Sequence, residues 1–334
     1  ATSGSNTGAK TAETSGSNTG AKPAETSSSN AGATSGSNTG ATARDAKAEV
    51  AKSPMQGIIN DSSISPKDLP KQLANVAQAV LEGATSTNKP ALAKALVEIA
   101  PPKAQVEVAK SLMQGILNDS SISPKDLPKQ LANVTQAVLE SASEINKPAL
   151  AKSLVEAAPP KAQAEVAKAL IKGIINDSSI SPKDLSKQLA NVAQAVLEGA
   201  TSTNKPALAK SLVEATPPKA QAEVAKALIK GIINDSSISP KDLSKQLANV
   251  AQAVLEGATS TNKPALAKSL VEATPPKAQA EVAKALIKGI INDSSISPKD
   301  LPKQLANVAQ AVLEGAPATN KPALIMQAVV QALP

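Results

Sequence analysis

A single unit of 58 residues recurs along most of this chain, and this repetition constrains the fold more than any other feature. The motif Ser-Pro-Lys-Asp-Leu places its proline at a constant step of 58 residues, at Pro66, Pro124, Pro182, Pro240 and Pro298. Residues 182–239 and 240–297 are identical throughout, which indicates recent duplication. Repeats of this kind are typical of stacked units that cover each other's apolar faces.

Each unit contains three amphipathic helices, named A, B and C in chain order. We predict the first A helix at about 65–82, because Ser65 suits an N-cap and Pro66 suits the first helical position. In the copies that carry Pro70, Pro128 or Pro302, the missing backbone donor makes a start at Asp68 or its equivalent the alternative. Its apolar residues follow the 3.6-residue helical period, at Leu69, Leu73, Val76 and Val80. Short polar connections then make consecutive helices antiparallel neighbours.

The C helix shows how the units are joined. The sequence predicts a B helix at about 88–100 and a C helix at about 102–118. The C helix has two nearly opposite apolar faces, the second represented by Ile171 and Ile175 in the next unit. Because a helix that is apolar on two faces needs neighbours on both sides, we predict an all-α, α-solenoid-like array of three-helix repeats rather than independent beads.

The two ends of the chain depart from the repeat. Residues 1–42 carry Thr-Ser-Gly-Ser-Asn-Thr-Gly-Ala three times and almost no large apolar residue, which predicts a disordered linker. A partial repeat follows, whose C helix carries Pro54 where later copies carry leucine, and we expect proline to break it. The chain therefore divides into a linker at 1–42, a partial repeat at 43–65, repeats 1 to 4 at 66–123, 124–181, 182–239 and 240–297, and a partial repeat at 298–334.

The residue types argue against catalysis. The chain has no Cys, His, Phe, Trp or Tyr, which removes thiolate chemistry and the usual zinc ligand sets. Its acidic residues occupy helix starts and polar faces, where caps and solvated ion pairs are the ordinary roles; examples are Asp68, Glu82, Glu98 and Glu107. We therefore predict that the chain is not an enzyme and has no catalytic residue, no cofactor and no metal site.

The charge pattern bears on partners. The net charge of +7 is spread evenly along the chain, almost every cation is lysine, and Arg44 is the only arginine. The lysines have no aromatic residues beside them for base stacking. No apolar stretch approaches the length of a membrane span. We therefore expect no nucleic-acid partner and no membrane insertion within this segment.

One polar residue of the A helix could form a binding ladder. An asparagine recurs on its polar face at Asn75, Asn133, Asn191, Asn249 and Asn307. Asparagine both donates and accepts hydrogen bonds, so five copies on one surface could bind the extended backbone of a protein partner. The alternative is a solvated polar face without a ligand.

The near-identical Lys/Ala/Ser-rich units behind a Ser/Thr/Gly/Asn tract resemble the tandem-repeat surface antigens of rickettsia-like intracellular bacteria. The resemblance implies exposure at the cell surface or outside the cell, and a host protein, an antibody or the chain itself as partner. It transfers no functional residue. Three functions remain open: a surface-exposed structural or adhesive array, an α-solenoid scaffold for peptides, and an extracellular fibre or matrix protein.

Overall fold

The fold is a continuous series of α-helices. The computed structural model describes residues 39–332, with side chains from 48 to 326, so the predicted linker lies outside the described part up to residue 38. The described residues form fifteen α-helices and one short 3-10 turn, Glu144–Asn146, which confirms the all-α prediction. The A helices are α2 (Leu69–Glu82), α5 (Leu127–Ser141), α8 (Leu185–Gly199), α11 (Leu243–Glu256) and α14 (Leu301–Gly315). The B helices are α3 (Lys89–Ile99), α6 (Lys147–Ala157), α9 (Lys205–Ala215), α12 (Lys263–Ala273) and α15 (Lys321–Ala332). The C helices are α1 (Thr39–Ile59), α4 (Pro102–Leu117), α7 (Gln163–Ile175), α10 (Gln221–Ile233) and α13 (Gln279–Ile291).

Each A helix begins later than its sequence predicts. In the first copy, residues 65–68 form a separate turn, in which Ser65 Oγ accepts the Asp68 backbone N–H at 3.2 Å and donates to the Asp68 carboxylate at 2.6 Å. The helix then starts at Leu69. The predicted start at residue 65 is therefore wrong, because serine and aspartate hydrogen-bond locally and compete with the helix. The alternative start at Asp68 lies within one residue of the observed one.

Pro54 does not break the first helix, and that prediction is also wrong. Helix α1 runs from Thr39 to Ile59 with Pro54 inside it, so it also begins within the tract assigned to the linker. Proline removes one backbone donor, the one that would bond to the carbonyl of Val50. Val50 is 72% exposed, so water can take that donor's place, while Met55 is buried and anchors the opposite side of the helix.

The helices pack in two layers. Each helix packs mainly against the helix two positions along the chain, so α2 to α14 form an even-numbered layer and α3 to α15 an odd-numbered one. Because each connection reverses the chain direction, neighbours within a layer run parallel. Lysine–glutamate ion pairs 46 residues apart join such neighbours: Lys94–Glu140, Lys168–Glu214, Lys210–Glu256, Lys226–Glu272 and Lys268–Glu314. B helices pack on the next A helix and C helices on the next B helix, which confirms a continuous array.

Three helices per repeat in two layers have a geometric consequence. A helix type that lies in one layer in one repeat lies in the other layer in the next repeat. The A helices α2, α8 and α14 are in the even layer, whereas α5 and α11 are in the odd layer. Both outer faces therefore carry A, C and B helices in the same cyclic order. The exposed surface of a given helix type recurs on the same face only in every second repeat.

Small side chains bring the C helix close to the A helix of its own repeat. A Cβ added at Gly231 would lie 3.0 Å from the Gln194 carbonyl oxygen and 3.3 Å from the Leu197 Cβ. The second apolar face of the C helix is only partly covered: in α7 of repeat 2, Ile171 is fully buried but Ile175 is 37% exposed. The expectation that both isoleucines are covered is therefore wrong for Ile175.

We predict that Gly231→Ala lowers the thermal unfolding temperature of the full chain. The new methyl group presses on the Gln194 carbonyl oxygen and the Leu197 Cβ, so α8 has to move by a few tenths of an ångström. Both contacts belong to the helix framework and cannot rotate away, so we expect the overpacking cost of about 1–3 kcal/mol to exceed the roughly 1 kcal/mol that alanine gains in helix propensity. Gly57→Ala is the matched control, because Gly57 has the same repeat position and nothing lies within 4 Å of its Cβ direction. That control should leave the temperature unchanged or raise it, since alanine favours helix. Equal effects, measured by circular dichroism, would contradict the close packing of α8 and α10.

Candidate functional site

A buried lysine begins the B helix of every complete repeat. These lysines, at most 1% exposed, are Lys89, Lys147, Lys205 and Lys263. In repeat 3, Lys205 Nζ donates to the carbonyl of Leu197 and forms a 2.8 Å ion pair with Asp235. Leu197 lies in the last turn of the A helix and Asp235 follows the C helix, so one ammonium joins all three helices. A cation is favoured there because both helix C-termini carry partial negative charge.

The same lysine–aspartate cluster recurs with short ion pairs. The distance from Lys89 to Asp119 is 3.0 Å, and the corresponding distances in repeats 2 and 4 are both 2.6 Å. Hydrogen bonds from Ser121, followed by the bond from Lys89, lower the pKa of Asp119 from 3.8 to about 2. Burial raises the pKa of Asp235, but bonds from Lys205 and Ser237 outweigh it, so the net shift is downward.

Sequence reasoning missed these lysines, because a lysine at a helix start ordinarily remains solvated. The available signal is the motif Asn-Lys-Pro-Ala-Leu, which opens every B helix. It persists in repeat 2, where the three preceding residues change from Thr-Ser-Thr to Ser-Glu-Ile.

A buried glutamine links each repeat to the next. Gln163 Nε2 donates to the carbonyl of Val155 at 3.1 Å, which lies in the last turn of the B helix. Its Oε1 accepts a 2.8 Å hydrogen bond from Asn204, the residue before the B helix of the following repeat. Equivalent pairs have distances of 2.8–2.9 Å: Gln105–Asn146, Gln221–Asn262 and Gln279–Asn320. These glutamine and asparagine side chains therefore join neighbouring repeats to each other.

The five asparagines of the predicted ladder are exposed, but they do not line one surface. Those on the even layer are Asn75, Asn191 and Asn307, and those on the odd layer are Asn133 and Asn249. The single-surface arrangement is therefore wrong, because three helices per repeat place alternate copies on opposite faces. Asn191 lines a groove of about 600 Å³, and Asn307 lines another of about 330 Å³.

The larger groove lies between the A and C helices of repeat 3, and we call it the A–C groove. Helix α8 and the α10 segment supply its two walls, and Ser269 of α12 closes it. Its lining residues are Lys187, Ala190, Asn191, Gln194, Lys219, Ala222, Glu223, Lys226, Ala227, Lys230 and Ser269. Four lysines and one glutamate therefore meet in a single groove, although the charge is even along the sequence.

The described part of the chain has neither a cluster of metal-binding side chains nor a helix that could cross a membrane. There, no three His, Cys, Asp or Glu side chains gather in positions suited to a metal ion. The aspartates that follow the C helices of the four complete repeats bind lysines instead, as Asp235 does. Among the helices whose residues are described, none is both long and apolar enough to cross a membrane.

Comparison with known proteins gives no assignment. No model of a protein family matches this chain, and no curated protein matches its sequence. Function therefore has to be argued from the geometry of the repeats.

We predict that Lys205→Met destabilises the chain strongly. The substitution leaves the Asp235 carboxylate buried without its cation, and breaking a buried pair costs about 3–5 kcal/mol. Lys321→Met is the matched control, because Lys321 has the same repeat position but is exposed, and such changes usually stay within about 0.5 kcal/mol. Urea unfolding measures both, and similar losses would show that the internal cluster contributes little.

We also predict that acid weakens the array. The pKa of Asp119 is depressed by folding, so its contribution is present above the ordinary carboxyl pKa of 3.8 and is lost as pH falls towards about 2. Asp177, Asp235 and Asp293 shift in the same direction. The urea midpoint should therefore fall across this window. Asp119→Asn should reduce the steepness of the fall, and an unchanged pH profile would contradict the assignment.

Proposed function

We propose that this chain is a non-enzymatic repeat array displayed at a cell surface, where many copies of one weak site hold a protein partner. The observation that carries the proposal is the alternation of faces between successive repeats. Because each added repeat places the same surface on the opposite side, partners can be held from both sides. Several weak contacts made at once give higher avidity than one contact alone.

The buried lysine–aspartate pairs hold helices together, which supports a function without catalysis. Lys205 and Asp235 are the kind of buried titratable pair that often marks an active site. Here the ammonium holds three helices together, with a 2.8 Å ion pair and a carbonyl as its partners. Four near-equivalent copies of this cluster are what a repeating structural element requires.

Surface display is supported by the layout of the sequence. Near-identical repeats behind a Ser/Thr/Gly/Asn tract resemble rickettsia-like surface antigens, which implies contact with host proteins or antibodies. An array whose two faces are equivalent suits this role, because no single orientation on the surface hides its sites.

A peptide-binding scaffold is the second candidate, favoured by the position of Asn191 in the A–C groove. Solenoid scaffolds bind long ligands along one continuous concave surface. In this chain Asn191 and Asn249 lie on opposite layers, so successive asparagines would bind separate segments rather than one long peptide.

Copy number provides the test of the array proposal. Deleting residues 240–297, or 182–297, leaves every remaining junction unchanged because each cut follows the same serine. We expect the time for which the chain is retained on a host-cell monolayer to shorten more than in proportion to the repeats removed, because simultaneous contacts multiply. The monomeric state of each variant has to be verified by light scattering as a control.

Localisation is tested separately with an antibody raised against the array. Intact source cells should be labelled as strongly as permeabilised cells. Labelling of permeabilised cells alone would contradict surface display, and retention that is independent of repeat number would contradict the multivalent role.

A further inference from the structure

We propose that the A–C groove binds an acidic segment of a partner protein in an extended conformation. This inference rests on the proposed function, since it specifies the chemistry of the partner. The groove has a volume of about 600 Å³, within the range of sites that enclose small ligands.

The charge of the groove selects an acidic ligand. Because α8 and α10 run parallel, Lys187 and Lys219 lie at the end of the groove where the helices start, and Lys230 lies towards the other end. Lys226 lies between Lys219 and Lys230 on the α10 wall. Lys226 forms a 2.7 Å ion pair with Glu272, so its charge is largely compensated. The remaining three lysines outnumber the single lining carboxylate, Glu223, and leave the groove positive.

The groove floor and amides suit a polypeptide backbone. Ala190, Ala227 and Ser269 are buried and small, so a backbone can approach the floor closely. Asn191 adds a side-chain amide to the α8 wall, and Gln194, whose Nε2 donates to Glu198 at 2.9 Å, adds an acceptor oxygen. An amide offers both a donor and an acceptor, which is the pattern that each peptide unit presents.

The dimensions fix the length of segment that fits. Lys187 and Gln194 are seven residues apart on one helix, as are Glu223 and Lys230 on the other, which corresponds to about 10 Å along each axis. Lys219 extends the second wall beyond its helix start. An extended chain rises about 3.3 Å per residue, so the groove accommodates roughly four or five residues with carboxylates spaced to reach both walls.

A nucleic acid fits this groove less well than a peptide. Single-stranded nucleic acids are held by aromatic stacking and arginine, and the chain has no aromatic residue and a single arginine. Glu223 would repel a phosphate backbone that followed the groove, whereas a peptide can place a neutral residue opposite it.

The repeats differ at this site. Repeats 2 and 4 carry the same lysines and asparagine as repeat 3, and their groove positions lie on the opposite layer. These residues are Lys129, Asn133 and Lys172 in repeat 2 and Lys245, Asn249 and Lys288 in repeat 4. Repeat 1 carries Val106 and Gln114 where repeat 3 carries Ala222 and Lys230. Its groove positions are therefore bulkier and less basic, and we expect them to bind the same segment more weakly.

The test measures binding of a fluorescein-labelled peptide of alternating glutamate and alanine to the full chain, by fluorescence anisotropy. The groove variant carries two lysine-to-glutamine changes in each of repeats 2, 3 and 4: Lys129→Gln, Lys172→Gln, Lys187→Gln, Lys230→Gln, Lys245→Gln and Lys288→Gln. The control variant removes six other exposed lysines, five in the turns before the A helices and one at the start of α15: Lys67→Gln, Lys125→Gln, Lys183→Gln, Lys241→Gln, Lys299→Gln and Lys321→Gln. Both variants lower the net charge equally, and circular dichroism verifies that both retain the helical fold.

We expect the groove variant to bind about tenfold more weakly than the natural chain, since each groove loses two exposed charge pairs, and the control to change less than twofold. Changing Asn133, Asn191 and Asn249 together to alanine should weaken binding without changing its salt dependence. Equal loss in the groove and control variants would show attraction to net charge alone and overturn the proposal. So would a duplex DNA oligonucleotide that binds more tightly than the peptide and depends on the same six lysines.

The copy-number assay separates this inference from the proposed function. If the groove variant loses peptide binding but keeps repeat-dependent retention on cells, the array function stands and the groove is not its contact site. If retention on cells is independent of repeat number while peptide binding still requires the groove lysines, the array function fails and the groove site stands.

Discussion

The structure depends on the need of every helix to be covered by the helix two positions along the chain. With no aromatic side chain available, the interior consists of Ala, Val, Leu, Ile and Met, and each pair of facing helices buries only a thin layer. Such faces pack closely but specify their partner weakly, since one small aliphatic surface resembles another.

The buried polar contacts supply the missing specificity. Lys205 reaches the ends of the A and C helices of its own repeat, and Gln163 accepts from Asn204 of the next. If the helices shift by one turn, either contact is broken and buried polar groups lose their hydrogen-bond partners. The free-energy cost of those unpaired groups fixes the register between the helices.

The odd number of helices per repeat determines what the outside of the molecule presents. A repeat of two helices would assign one helix type to each layer and give the array two chemically different faces. Three helices exchange the layers at each step, so that α8 and α11 carry the same surface on opposite sides. A site placed on the A helix is therefore distributed over both faces without any further feature in the sequence. The close approach at Gly231 is part of the same arrangement, because it sets the distance between the two walls of the A–C groove.

Much of the fold could be predicted from the sequence, and the exceptions have physical causes. The helical period, the proline and glycine boundaries and the two apolar faces of the C helix are local patterns, and they gave the three helices and their continuous packing. The start of the A helix was misplaced because Ser65 and Asp68 form their own turn. Helix α1 continues through Pro54 because Val50 lies on the solvent side. The burial of Lys205 and the alternation of the asparagines depend on contacts between segments far apart in the chain, which no local pattern contains.

The basic groove could not be predicted from the even distribution of charge along the sequence, because its lysines come from two separate segments of the chain.

The same contacts explain how the number of repeats can change without a change of fold. Each repeat carries both halves of every interface, with its own lysine and aspartate inside and a glutamine and an asparagine toward its neighbours. Inserting or removing a unit such as 182–239 therefore restores the same junction and leaves no buried group unpaired. The exposed lysines contribute little to this stability, since surface ion pairs are individually weak, so their positions are free to serve binding. Stability and recognition thus reside in different residues of one repeat. This separation allows the array to gain length and sites together while the core of each unit stays the same.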